Sequence, residues 1–235
     1  APNSLHITWL SASYNWKGRI LERHMGEPDL ALKFYDRAVE SYPKNDGALN
    51  NRGLLLMDFY NDLESAQKDF VAAIKVNPNN DDVLNNQGLL LERLEKFDDA
   101  LVYFNKSLAV NPRDAVTYSN RAKLLTERFG RHADALADYN KALELNPNYA
   151  VVYRNRGLLY MDHYKRYEEA LADYNRAIEL SPSFQIAYNH RGILYRDFLR
   201  DYEKALQDFE TLITMNRRDF TSYGHKSYVL YLLGR

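Results

Sequence analysis

The chain has 235 residues, 46% of them hydrophobic and 27% charged, the balance of a folded protein and not of a disordered tail. Its 31 lysines and arginines nearly cancel its 32 aspartates and glutamates, so no net field draws it to nucleic acid or an anionic membrane. The absence of cysteine excludes disulfides, thiolate metal sites and cysteine nucleophiles.

No apolar run reaches the roughly 18 to 20 residues needed to cross a bilayer, and the first ten residues lack a basic-then-apolar leader pattern. The expectation is a cytoplasmic protein without membrane insertion. The chain opens on Ala1 with no initiator methionine, as a processed form or an excised fragment would.

In chain order, side chains spaced by three, four and seven residues predict helices in pairs. The first three pairs are 11–25 with 28–41, 46–60 with 63–76, and 81–94 with 97–110. The next three are 115–129 with 131–145, 150–164 with 167–180, and 185–199 with 202–215, and a lone helix follows over 219–234. The corresponding repeats are 11–45, 46–80, 81–114, 115–149, 150–184 and 185–219, with a terminal helix over 219–235, all in one domain spanning 1–235.

The repeat rests on registers that recur through the chain. Small residues stand at Gly18, Gly53, Gly88, Ala122, Gly157, Gly192 and Ser227, separated by 35, 35, 34, 35, 35 and 35 residues. A glycine inside a helix costs about 1 kcal/mol against alanine, so its recurrence argues for close helix packing. Ala31, Ala66, Ala100, Ala135, Ala170 and Ala205 form a second register, each followed four residues later by an aromatic: Tyr35, Phe70, Phe104, Tyr139, Tyr174 and Phe209. Prolines at 43, 78, 112, 147 and 182 mark where each second helix has ended. Asparagine precedes three of them, at Asn77, Asn111 and Asn146, and is expected there in the left-handed conformation that caps a helix.

These registers resemble the tetratricopeptide repeat over residues 11 to 235. The resemblance implies an all-α, right-handed α-solenoid of antiparallel helix pairs, six units and one terminal helix. Two features depart from the commoner pattern. Five of the six repeats carry one extra residue between the small residue and the alanine, expected in the turn joining the two helices. Arg52, Arg121, Arg156 and Arg191 precede the small residue where the family more often has leucine. The terminal helix, with Tyr228, Leu230, Tyr231, Leu232 and Leu233, is more apolar than a solvated cap, as if it packs on something outside the chain or was cut from a longer one.

In such repeats the first helices line a concave groove. Two residues before the small residue stand Asn51, Asn86, Asn120, Asn155, His190 and His225, a run resembling the asparagine ladder in the repeat region of O-linked N-acetylglucosamine transferases. There the amides hold the backbone of an extended peptide, which suits a group that both donates and accepts. The alternative is that these asparagines satisfy neighbouring side chains across stacked helices. Three residues beyond lie Leu54, Leu89, Leu158 and Ile193; seven beyond, a row containing Asp162 and Asp197. The groove is therefore expected to prefer an extended segment with apolar anchors and basic residues. The carboxylate clamp of chaperone-binding relatives is not expected, since its lysines are replaced by Asn15, Asn50, Asn85 and Asn189, with only Arg154 basic.

No zinc spacing, phosphate loop or nucleophile elbow is present, so no catalytic residue, metal or cofactor is expected. The sequence reads as a non-catalytic protein-interaction scaffold. Its rivals are a substrate-recruiting segment of a larger enzyme and a scaffold that self-associates through the C-terminal helix.

Overall fold

The computed structural model describes residues 4–235; residues 1–3, which the expected domain includes, lie outside the described residues. Among the described residues there are thirteen α-helices and no strand. They are α1 (Ser4–Ile20), α2 (Pro28–Ser41), α3 (Asp46–Asp58), α4 (Leu63–Val76), α5 (Asp81–Arg93), α6 (Phe97–Val110) and α7 (Ala115–Glu127). Then follow α8 (His132–Leu145), α9 (Ala150–Leu159), α10 (Tyr167–Leu180), α11 (Gln185–Leu194), α12 (Tyr202–Met215) and α13 (Phe220–Leu232). Successive helices pack in pairs, α1 on α2 through α11 on α12, with α13 against α12. The fold is the all-α helical repeat that the spacing predicts. The helices form two compact units, α1–α6 and α7–α13. In the first, α3 packs on both α1 and α5; in the second, α9 packs on both α7 and α11.

The core follows from the small-residue register. The aromatic of each second helix lies flat on the small residue of its partner. A Cβ added at Gly88 would stand 2.7 Å from the Phe104 ring, so only glycine admits this approach. Tyr35, Phe70, Phe104, Tyr174 and Phe209 are fully buried, as are the alanines of the second register.

Four of the arginines that break the family pattern have a partner that the spacing hid. Each lies across its own helix pair from an aspartate 17 residues later, bound through two nitrogens: Arg52–Asp69, Arg121–Asp138, Arg156–Asp173 and Arg191–Asp208. The remaining nitrogen of Arg52, Arg156 and Arg191 reaches the preceding second helix, at Asp36, Asn140 and Asn175. One guanidinium thus ties three helices. The carboxylates are buried, at 5%, 6%, 5% and 2% exposure.

Two local expectations are corrected. The asparagines before proline are not left-handed: Asn77, Asn111 and Asn146 are extended, with φ of −134°, −126° and −135°. A following proline excludes helical geometry, and the side chain instead accepts from the backbone N–H two residues on. The extra residue lies in the last turn of the first helix and not in the connecting loop. α1, α9 and α11 each continue into a π-helical turn, Leu21–Met25, Tyr160–Tyr164 and Tyr195–Leu199. In all five longer repeats the closing N–H reaches a carbonyl six residues back, as in Arg166 to Tyr160; in the shorter third repeat Lys96 reaches Leu91, five back. The left-handed residues fall here, at Gly26, Asn61, Glu95, Gly130, Lys165 and Arg200.

Candidate functional site

In the first unit the predicted ladder is tied into the helix stack. Asn51 Nδ2 donates to Asn15 Oδ1 at 2.8 Å, and Asn86 Nδ2 donates to Asn50 Oδ1 at 2.9 Å. Each therefore bridges to the first helix before it. Asn86 is 8% exposed, whereas Asn51 is half-buried. Leu54 and Leu89 are partly buried, Leu54 packing on the cluster around Phe70.

In the second unit Asn120 and Asn155 are half-buried, and the site opens beside Asn155. A cavity of about 290 Å³ lies between α7, α8 and α9, lined by Asn155, Leu158, Asp162, Arg154, Glu127 and Tyr139, with His163 at its edge. Three predicted residues, Asn155, Leu158 and Asp162, thus meet in one place. Asp162 is exposed there; Leu158 reaches inward to the cluster of Tyr160 and Tyr174. Ile193 packs against the cluster of Phe209 instead. Asp197 is taken up by Arg196, which holds it through two nitrogens and donates a third to His225 Nδ1 at 2.8 Å. His225 stacks on Phe209 with centroids 4.8 Å apart, and His190 lies by Tyr174. The two histidines of the ladder position have separate neighbours.

The electrostatics around this cavity are uneven. Burial pushes His190 down to about 4, helped by the positive charge of Arg154, and its Nδ1 is buried without a hydrogen-bond partner. Burial also lowers Arg154 from the ordinary arginine value, and its Nε is likewise buried and unpartnered. His163 stacks face to face on His132, ring centroids 3.7 Å apart, and burial followed by the His132 charge lowers it. Among the described residues no cluster of three or more histidines and acids is placed to hold a metal ion. No described helix is long and apolar enough to cross a membrane.

Residues 130–163 and 165–197 match the TPR repeat family, and residues 82–114, 11–45 and 186–219 match the tetratricopeptide repeat, together more than half of the chain. The chain belongs to the tetratricopeptide repeat family. Among solved structures it is similar to a tetratricopeptide repeat protein from Parabacteroides merdae, 28% identical with a TM-score of 0.65 over 80% of this chain and 73% of that one. It is also similar to pilF of Pseudomonas aeruginosa, 17% identical with a TM-score of 0.80 over 95% and 99% of the two chains. A third is YrrB, described as a tetratricopeptide protein with an unusual peptide-binding site, 24% identical with a TM-score of 0.56 over 76% and 90%. At these last two identities the likeness is one of fold. No curated protein matches the chain in sequence.

Within this tetratricopeptide frame, the sequence passed over Tyr139 and His163, and read Arg154 only as the remnant of an absent clamp. Tyr139 belongs to the aromatic register and reads as core, yet it also lines the cavity. His163 lies in the π-helical turn Tyr160–Tyr164, whose widened geometry no helical periodicity anticipates. Arg154 had a signal: it is the one basic residue among the positions three before each small residue, where the others are Asn15, Asn50, Asn85, Ser119 and Asn189.

Proposed function

We propose that this tetratricopeptide protein is a non-catalytic interaction scaffold that receives an extended peptide or a partner helix on the face made by its first helices. The observation that carries this reading is the cavity in the second unit, where an apolar floor at Leu158, a half-buried amide at Asn155 and an exposed carboxylate at Asp162 converge. An apolar side chain fits that floor, the Asn155 amide pairs with a peptide unit, and Asp162 attracts a basic residue. The structural likeness to YrrB, a protein described by its peptide-binding site, supports the same use of the fold. In the first unit Asn86 acts within the helix stack and Asn51 stands nearer the surface, so contact with the partner centres on the second unit.

A fluorescent pool of random dodecapeptides, titrated against the full chain, tests this. Asn155→Ala and Leu158→Lys should each weaken retention of the bound fraction by roughly tenfold, the equivalent of one or two lost contacts. Lys68→Ala, an exposed residue of α4 remote from the cavity, should leave it unchanged. Equal binding by all four proteins would rule the face out.

A further inference from the structure

The four arginines that precede the small residues show what this fold does with a half-buried guanidinium: each is held by a buried aspartate through two nitrogens. Arg154 is two residues from Arg156 on the same helix and is also half-buried, but among the described residues it makes no hydrogen bond or ion pair. Its Nε is sealed from solvent, and what lies near its guanidinium is the Phe184 ring at 6.0 Å. A desolvated charge without a counter-charge destabilises a fold by several kcal/mol unless something outside supplies the partner. The open side of Arg154 is the 290 Å³ cavity.

From this placement we infer that Arg154 seats a single carboxylate of the bound peptide, an aspartate or glutamate side chain lying next to a basic residue that Asp162 and Glu127 receive. This rests on the peptide-binding reading above and narrows its ligand. Glu127 and Asp162 both line the cavity and are exposed, so a phosphate dianion placed on Arg154 would face two carboxylates. A monoanion beside a lysine or arginine meets one cation and two anions in complementary positions. Asp162 makes no ion pair among the described residues, and Glu127 only reaches Lys123 at 4.0 Å. The neutral His190 beside Arg154, with its own unpartnered Nδ1, adds no competing charge.

The test is a phage library of random dodecapeptides selected on the full chain, followed by affinities of the selected sequences as free peptides. The expected result is one enriched acidic position within a residue or two of lysine or arginine. Changing that acid to its amide should weaken binding to the wild-type protein by roughly tenfold or more and to Arg154→Met hardly at all. Arg154→Lys, which keeps the charge and loses the fork, should fall between. Arg154→Met should also melt no lower than wild type, because it removes an uncompensated charge. An amide change that costs the same on both proteins, tighter binding of a phosphoserine peptide, or a clearly lower melting temperature for Arg154→Met would each overturn the inference. Selected peptides without an acidic preference would overturn it while leaving the scaffold reading intact, and a library from which nothing is retained would remove both.

Discussion

Arg154 and Arg156 stand on one helix, and the difference between them separates residues that hold this fold from residues available to a partner. Arg156 binds Asp173 through two nitrogens at 2.8 and 2.7 Å and Asn140 through a third. Burial lifts the Asp173 carboxyl above its ordinary value, against the opposing pull of Arg156, so the aspartate depends on its cation. Arg156→Met leaves that carboxylate buried and alone and is expected to lose about 3–5 kcal/mol. Replacing both partners, Arg156→Met with Asp173→Leu, removes the stranded charge and should recover most of the loss. Urea denaturation of the wild type, both single variants and the double variant measures this cycle. A double variant no more stable than Arg156→Met would mean that the pair acts through the third contact to Asn140.

At the level of the helices, the ends matter more than the middles. Lys165 and Arg200 occupy the left-handed region at φ of 54° and 55°, where Gly26 and Gly130 do the same work in other repeats. A side chain in that region strains its own backbone, so Lys165→Gly and Arg200→Gly should each stabilise the protein by about 0.5–1 kcal/mol, while Gly130→Ala should destabilise it. Melting temperatures of the three variants check the pattern, and a fall for both glycine substitutions would refute it. These helix ends also mark where the sequence was and was not legible. α2, α4, α6, α10 and α12 fall on the residues predicted, because buried alanines, an aromatic and a proline bound them on each side. α1 begins at Ser4, before its predicted start, because nothing in Leu5–Leu10 breaks a helix and the repeat registers begin only later. The extra residue was visible as a spacing, but a π-helical turn has no composition of its own, so its place in Tyr160–Tyr164 could not be read. Periodicity gave Asn86 its face and not its depth. The amide it binds, Asn50, was in view, but one helix face alone does not show which neighbour lies within 2.9 Å.

For the molecule as a whole, the histidines set how stability answers to acid. Burial holds His190 at about 4 against its ordinary 6.5, and burial first, then a neighbouring positive charge, lowers His163 and His225 as well. Between pH 6.5 and 4 the unfolded chain binds protons at these sites that the folded chain refuses, so stability is complete above 6.5 and falls as the pH drops toward 4. His190 alone accounts for up to about 3 kcal/mol of that fall. Asp46 and Asp219 work in the same direction further down. The amides of Asn80 and Asn77 overcome burial at Asp46, and Ser222 lowers Asp219, so both lose their contribution as the pH falls through their depressed values. Asp173 and Asp208 oppose them: burial raises both, so taking up a proton favours the folded state there and softens the loss at the acid end. The histidine window lies above all of these carboxylates, which allows it to be isolated. Urea midpoints from pH 7 to 4.5 should decline steadily for the wild type and distinctly less for His190→Gln, which cannot take up the proton. Parallel declines would place the acid sensitivity of this fold outside His190, and a decline that begins only below pH 4.5 would place it in the carboxylates that tie the repeats together.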